Sequence, residues 1–309
     1  MTLSARFTLV AAAAALSLPA PLVAQQEVPS AWDEEGNEIV VTGNNEDISV
    51  VQVQRQVRDI VVRQGNLLDS PLARFEDRLC PGVVGLSGEF AYSFNARLRA
   101  NAEELGIRLL DDDCEPNFVV AFVDDGEAMF RRMMRDEPQN FQYLNSGEKN
   151  DILEPGPVHV WTSVQPRTLT GMPIAQVRDL MNPPRMGVHA AHTRIYTATR
   201  NDIVSVMLSF DRDAVQGMSL RQLADYATIR GLAQTRPPED PVMDSILTLF
   251  DAESPPLGLT EFDRAYLRSL YDDIPNLPGF RRVGGTTRQL RLMAEESARE
   301  SASQSTANE

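Results

Sequence analysis

Residue types and motifs that indicate a particular chemistry are scarce in this sequence. Its 309 residues include three histidines and two cysteines, and 6% of them are aromatic. The phosphate-binding patterns G-x-x-x-x-G-K-[ST] and G-x-G-x-x-G are both absent. The nearest approach to a G-x-S-x-G serine motif is Gly85-Leu86-Ser87-Gly88, one residue short and following a predicted loop, where Ser87 is suited to begin a helix. We therefore predict no catalytic residue and no cofactor.

The charge balance is strongly acidic. Forty-four Asp and Glu residues outweigh 29 Lys and Arg residues, and the net charge is −15. Such a surface repels nucleic acid and anionic lipid. We expect no nucleic-acid partner, and the partner that remains is a protein or a small molecule.

The N-terminal residues have the pattern of a secretory signal peptide. Arg6 precedes an apolar run from Phe7 to Leu18, and small Ala24 follows two prolines. The run is too short to cross a hydrocarbon core of about 30 Å. We predict that residues 1–24 are removed near Ala24, and that the product is periplasmic or secreted, with no transmembrane segment.

The two cysteines, Cys80 and Cys114, are predicted to form a disulfide. Two cysteines in an exported protein usually form a disulfide, and the C-x-x-C spacing of a metal half-site is absent. Closing the loop between Cys80 and Cys114 should stabilise the fold by about 3 kcal/mol.

An acidic leader is predicted over residues 25–49. It contains seven acidic residues and no basic one, which opposes compaction, so we expect disorder in the isolated protein. Within it, Asn37 to Gly43 (NEIVVTG) resembles the short strand-forming box through which outer-membrane receptors are engaged from the periplasm. Its β-prone centre, Ile39–Thr42, is suited to pair with an open sheet edge. One functional hypothesis is therefore an accessory of outer-membrane transport that acts through residues 38–43.

Beyond the leader, the hydrophobic pattern predicts one α+β domain over residues 50–285, then a C-terminal helix and a disordered polar tail over 286–309. Helices are predicted at 51–63, 126–135 and 219–233. Another is predicted after Ser87, with Phe90, Phe94, Leu98 and Leu105 on or near one face, and one more after a capping box at Thr260 and Asp263. The run from Asn117 to Val123 is a predicted buried strand. A hairpin is predicted from Thr193–Thr199 and Ile203–Phe210, with its turn at residues 200–202.

Three histidines, His159, His189 and His192, are the only candidates for an imidazole metal site. The last two form H-A-A-H after a proline pair, which favours a loop, and a zinc enzyme needs a third ligand. Asp111-Asp112-Asp113 and Asp124-Asp125 lack the alternating oxygen spacing of a calcium loop. We predict no metal site, and keep a metal-dependent hydrolase or peptidase using His159, His189 and His192 as the alternative.

Residues 71–86 (PLARFEDRLCPGVVGL) and 114–125 (CEPNFVVAFVDD) resemble an uncharacterised family of exported proteobacterial proteins. Residues 220–233, 246–251 and 259–271 resemble predicted secreted zincin-like metalloproteases, which implies a zincin-like α+β fold. In a zincin the helix at 220–233 carries H-E-x-x-H, whereas this helix has Gln222, Asp225, Tyr226 and Arg230 and no histidine. The resemblance therefore implies an exported, non-catalytic binding or accessory protein on a degenerate zincin-like scaffold.

Overall fold

The structure is a computed structural model, and it describes residues 50–62, 66–68, 70–174, 181 and 195–307. All the described residues belong to one compact unit. The predicted signal peptide, the acidic leader with residues 38–43, and both His189 and His192 lie outside the described residues. None of the described helices is long and apolar enough to span a membrane.

Helices and strands of the described chain alternate in its first half, and helices dominate its second half. In order they are α1 (Val50–Ile60), β1 (Arg74–Phe75), β2 (Pro81–Val84), α2 (Gly88–Glu104), β3 (Phe118–Val123), α3 (Gly126–Asp136), α4 (Ser146–Ile152), β4 (Val158–Thr168), β5 (Thr199–Asp211), α5 (Leu220–Leu232), α6 (Glu261–Tyr271) and α7 (Gly279–Ala307). This content confirms the predicted α+β class.

The long strand β5 organises the sheet. It pairs in parallel with β1 and β3, while β4 runs antiparallel along its whole length. Because β4 occupies one edge of β5, β1 and β3 follow one another along the other edge, and β2 pairs in parallel with β3 beyond them. The three parallel strands β2, β3 and β5 therefore end at the same edge of the sheet.

A β-bulge keeps the apolar side chains of β5 on one face of the sheet. Ser163 pairs with Ser205 and Val164 pairs with Ile203, so Val204 is an extra residue on β5. Without it, Ile203 and Val206 would point to opposite faces, since side chains alternate along a strand. With it, both are completely buried in the same hydrophobic cluster.

The two faces of the sheet carry cores of very different size. One face packs against α1, α2, α5, α6 and α7 in the main core, a single large cluster that includes Phe94, Phe118, Phe210 and Tyr226. The other face carries the satellite cluster, which has three fully buried members, Phe130, Phe141 and Ile152. Methionines and Trp161 complete the satellite cluster from α3, β4 and β5.

The disulfide between Cys80 and Cys114 is present, as the sequence predicted. Cys80 immediately precedes β2 and Cys114 lies in the connection between α2 and β3, with 6.1 Å between the two Cα atoms. Asn117 reinforces the same junction, because its side-chain oxygen accepts a hydrogen bond of 2.8 Å from the Cys80 N–H. The covalent link therefore fastens the outermost parallel strand to the segment that leads into its neighbour.

The hairpin predicted around residues 200–202 is wrong. Arg200, Asn201 and Asp202 lie inside β5, which runs without a turn from Thr199 to Asp211. Polar residues that resemble a turn are tolerated there because tertiary contacts satisfy them. Asn201 donates to the carbonyl of Pro71 at 2.9 Å, and Arg200 donates to the Asp202 carboxylate at 2.9 Å.

Candidate functional site

After the carboxyl ends of β2 and β3 the chain leaves toward opposite faces of the sheet, and the space between these two connections is called the crevice. After β2 the chain enters α2, which packs in the main core through Phe94 and Leu98. After β3 it enters α3, which covers the opposite face through Phe130. In sheets of parallel strands, ligands bind where neighbouring strands connect to opposite faces, because the two connections separate there. The loops at residues 85–87 and 124–125 therefore form the candidate site.

Gly85 allows the loop after β2 to lie directly against the backbone of β3. Its φ of +86° is a conformation that L side chains rarely adopt, and a Cβ at this position would lie 2.1 Å from the carbonyl oxygen of Phe122. The sequence predicts a loop before Ser87, whereas Pro81–Val84 is a strand. The short apolar pair Val83-Val84 was the signal for this strand, and two flanking glycines masked it.

Ser87 stands at the start of α2 with its side chain free of the helix. Its φ of −69° and ψ of 158° are those of a residue that begins a helix, but its side chain makes no capping hydrogen bond. The residue is exposed, and in the part of the chain that the structure describes no side chain hydrogen-bonds to its hydroxyl. Strand, turn and helix therefore present Ser87 to solvent without a base beside it.

Large apolar side chains are exposed around the same crevice. Val84 is 53% exposed at the end of β2, and Phe90 and Tyr92 in the first turns of α2 are 57% and 75% exposed. Phe94, on the next turn, is completely buried. Helical spacing in the sequence predicts Phe90 and Phe94 on or near one face, but the beginning of α2 extends past the main core and Phe90 is exposed. An open depression lies over this turn, lined by Gly88, Glu89, Phe90, Tyr92 and Ser93.

The carboxylates of the β3–α3 loop are engaged locally. Asp125 accepts a hydrogen bond from the Ala128 N–H at 2.8 Å and so caps α3, while Asp124 pairs with Arg212 at 2.6 Å. Asp211, at the end of β5, accepts from the Gly126 N–H at 2.8 Å. Each carboxylate thus caps a helix or pairs with an arginine, as expected for structural groups rather than metal ligands.

His159 is a buried residue of β4. Its side chain is on the satellite face, where it pairs across the sheet with Ser209 and lies against the ring of Phe130. Its Nδ1 is 2.9 Å from the carbonyl oxygen of Ile152, so one ring nitrogen is occupied by the backbone. Its proposed partners His189 and His192 fall outside the described residues. Among the residues that the structure does describe, no three His, Cys, Asp or Glu side chains converge as metal ligands would.

The helix that would bear H-E-x-x-H in a zincin is α5, and it is buried on nearly all sides. The spacing of this helix predicts that one face packs while Asp225 stays a polar position, but the side chain of Asp225 is completely buried. Arg97 of α2 binds both of its oxygens, at 2.7 and 2.9 Å, and Asn101 donates to it at 2.8 Å. This hydrogen bonding with Asp225 also raises the pKa of Arg97. Asp225 therefore joins α5 to α2.

A second group of charged side chains lies around the first half of β5. Asp202 is completely buried, and Arg200 and Arg167 approach the same carboxylate oxygen at 2.9 and 3.3 Å. Arg200 also reaches Glu76 at 3.3 Å. Burial raises the pKa of Asp202, and the two arginines oppose that rise. Positive and negative groups are matched inside this cluster, so its charges hold β1, β4 and β5 together.

Comparison with known proteins identifies no relative: no protein-family model, no curated protein and no solved structure matches this chain.

Proposed function

We propose that this protein is an exported protein of the bacterial envelope that acts by binding a partner protein at the crevice between β2 and β3. The observation that carries the proposal is the projecting start of α2. Phe90 and Tyr92 are more than half exposed at the edge where the topology separates two loops. Exposed aromatic side chains beside a concave surface are typical of protein-binding sites, because they bury a large apolar area with little loss of side-chain freedom.

The charges around the crevice indicate which partner it suits. Glu89 is exposed in the first turn of α2, and Asp125 is exposed across the crevice. Among the described residues, neither has an ion-pair partner. A segment that combines an apolar side chain with Lys or Arg would pair with these carboxylates and cover the aromatic rings. We therefore propose a partner segment with mixed apolar and basic character.

Photo-crosslinking in the envelope tests this site. We expect a photoreactive residue at position 90 or 92 to give one discrete adduct in living cells, because both positions line the open depression at the start of α2. The control is position 143, where Tyr143 is 58% exposed on a different part of the surface. Equal labelling from all three positions, or none from positions 90 and 92, would contradict the proposal. Charge reversal by Glu89→Lys should weaken the adduct at least severalfold without changing the melting temperature.

Export is the second part of the proposal, and the disulfide supports it. Disulfides form and persist in oxidising compartments such as the periplasm. We expect the mature chain to begin near residue 25, to fractionate with periplasmic proteins or the medium, and to show no free thiol when denatured without reductant. A variant lacking residues 1–24 should stay in the cytoplasm with both thiols free. Two free thiols in the exported protein would overturn this part of the proposal.

Two other functions remain as hypotheses from the sequence. The outer-membrane accessory depends on residues 38–43, and the metal-dependent hydrolase depends on His189 and His192 together with His159. Most of these residues lie outside the described part of the chain. The observed position of His159, buried and bonded to the carbonyl of Ile152, favours a structural role for that residue.

A further inference from the structure

Methionines are concentrated in the satellite cluster. Met129, Met133 and Met134 lie on α3 and Met207 lies on β5, and all four pack against the satellite cluster. Each of the four is partly buried, so part of its side chain packs in the cluster and part is exposed to solvent. Trp161, one of the two tryptophans in the sequence, belongs to the same cluster, with its ring 5.1 Å from that of Phe141.

The layer formed by α3, the 3-10 helix Pro138–Phe141 and α4 depends on this cluster. Phe130, Phe141 and Ile152 are its fully buried anchors, one from each helix. The main core lies on the other face of the sheet and takes no side chain from these helices. Local stability follows the number of buried apolar contacts, so this layer is the part of the described fold that a change at a few side chains would release first.

We propose that Met129, Met133 and Met134 form an oxidation-sensitive site that controls the attachment of the α3–α4 layer to the sheet. The oxidant is a peroxide. The thioether sulfur attacks one oxygen of hydrogen peroxide, and the O–O bond breaks as the S–O bond forms. The departing hydroxide takes the proton of the sulfur-bound hydroxyl and leaves as water. The sulfur loses two electrons and the peroxide gains them, which leaves a sulfoxide and one water molecule.

The sulfoxide is incompatible with the packed layer. It is polar and bulkier than the thioether, and its partners in the cluster are aliphatic chains and aromatic rings, among which the Trp161 indole N–H is the one hydrogen-bond donor. The layer therefore opens while the main core keeps its contacts. Since methionine sulfoxide can be reduced enzymatically, the change is reversible. This site is distinct from the proposed binding crevice and does not depend on it.

Hydrogen peroxide acting on the full-length protein tests the proposal. In a Trp32→Phe background, Trp161 alone reports tryptophan fluorescence. We expect sulfoxide at positions 129, 133 and 134 to accompany loss of the native Trp161 signal. Amide exchange should become about tenfold faster or more over residues 126–152, with no change in β3 and α5, since exposing a polar group that was buried shifts a local opening equilibrium by that order.

The chain offers its own controls. Met172 and Met181 are 60% and 93% exposed, so they should oxidise first without altering the Trp161 signal or exchange in α3. The M129L/M133L/M134L variant should resist the effect of peroxide, and Met133→Leu alone should weaken it if the triple variant folds poorly. Sulfoxide at the three positions without faster exchange, simultaneous opening of the main core, or an unchanged response in the leucine variants would overturn the proposal.

Discussion

Replacing Arg97 by methionine is expected to lower the free energy of unfolding by about 3–5 kcal/mol, because it leaves the carboxylate of Asp225 buried without its bidentate partner. Asn101 and the Leu259 N–H would still donate to Asp225, at 2.8 and 3.0 Å, but neither carries a charge. Urea denaturation followed by circular dichroism measures the change. We expect the transition to remain cooperative, since α2 and α5 belong to one core.

Arg221 is a matched control for this experiment. Its guanidinium lies 3.9 Å from the same carboxylate, but its side chain is 63% exposed. Arg221→Met should therefore change the free energy of unfolding by about 0.5 kcal/mol or less, because exposed ion pairs are weakened by solvent. Similar losses in the two variants would show that the bidentate pair is not what joins α5 to α2. Combining Arg97→Met with Asp225→Leu should recover part of the loss, since no unpaired charge is then left in the core.

Replacing Gly85 by alanine is the second substitution with a large expected effect. The new Cβ would lie 2.1 Å from the Phe122 carbonyl oxygen, in a backbone conformation with φ of +86°. Left-handed backbone costs a residue with a Cβ about 1–2 kcal/mol, and the steric conflict adds about 1–3 kcal/mol. We expect a total loss of about 2–5 kcal/mol in the free energy of unfolding.

Gly106→Ala separates the two causes. Gly106 has a similar φ of +71°, but a Cβ there meets nothing within 4 Å. This control variant should lose only the part of the free energy of unfolding that the left-handed backbone costs, about 1–2 kcal/mol. Equal losses at the two positions would mean that Gly85 is not what holds the loop after β2 close to the backbone of β3. If Gly85 sets the shape of the crevice, the Gly85→Ala variant should also lose crosslinking from position 90 under conditions where it remains folded.

Local patterns in the sequence determined much of the secondary structure. The apolar run Phe118–Val123 is β3, and residues at helical spacing or with capping signals are α1, α3, α5 and α6. Thr260 and Asp263 form the reciprocal hydrogen bonds expected of a capping box at the start of α6. These features depend on neighbours within about four residues along the chain, and a single sequence contains that information.

The sequence by itself determined the α+β class, the pairing of Cys80 with Cys114, and the scarcity of catalytic residue types. Tertiary structure decided which polar residues are buried and which apolar ones are exposed. In the sequence Asp225 resembles a surface residue of an amphipathic helix. In the fold its carboxylate binds Arg97, which lies 128 positions away along the chain. By its spacing Phe90 resembles a core residue, but its side chain is exposed because the beginning of α2 extends past the main core. The crevice arises because α2 and α3 leave neighbouring strands toward opposite faces, and that depends on long-range packing that no local pattern records.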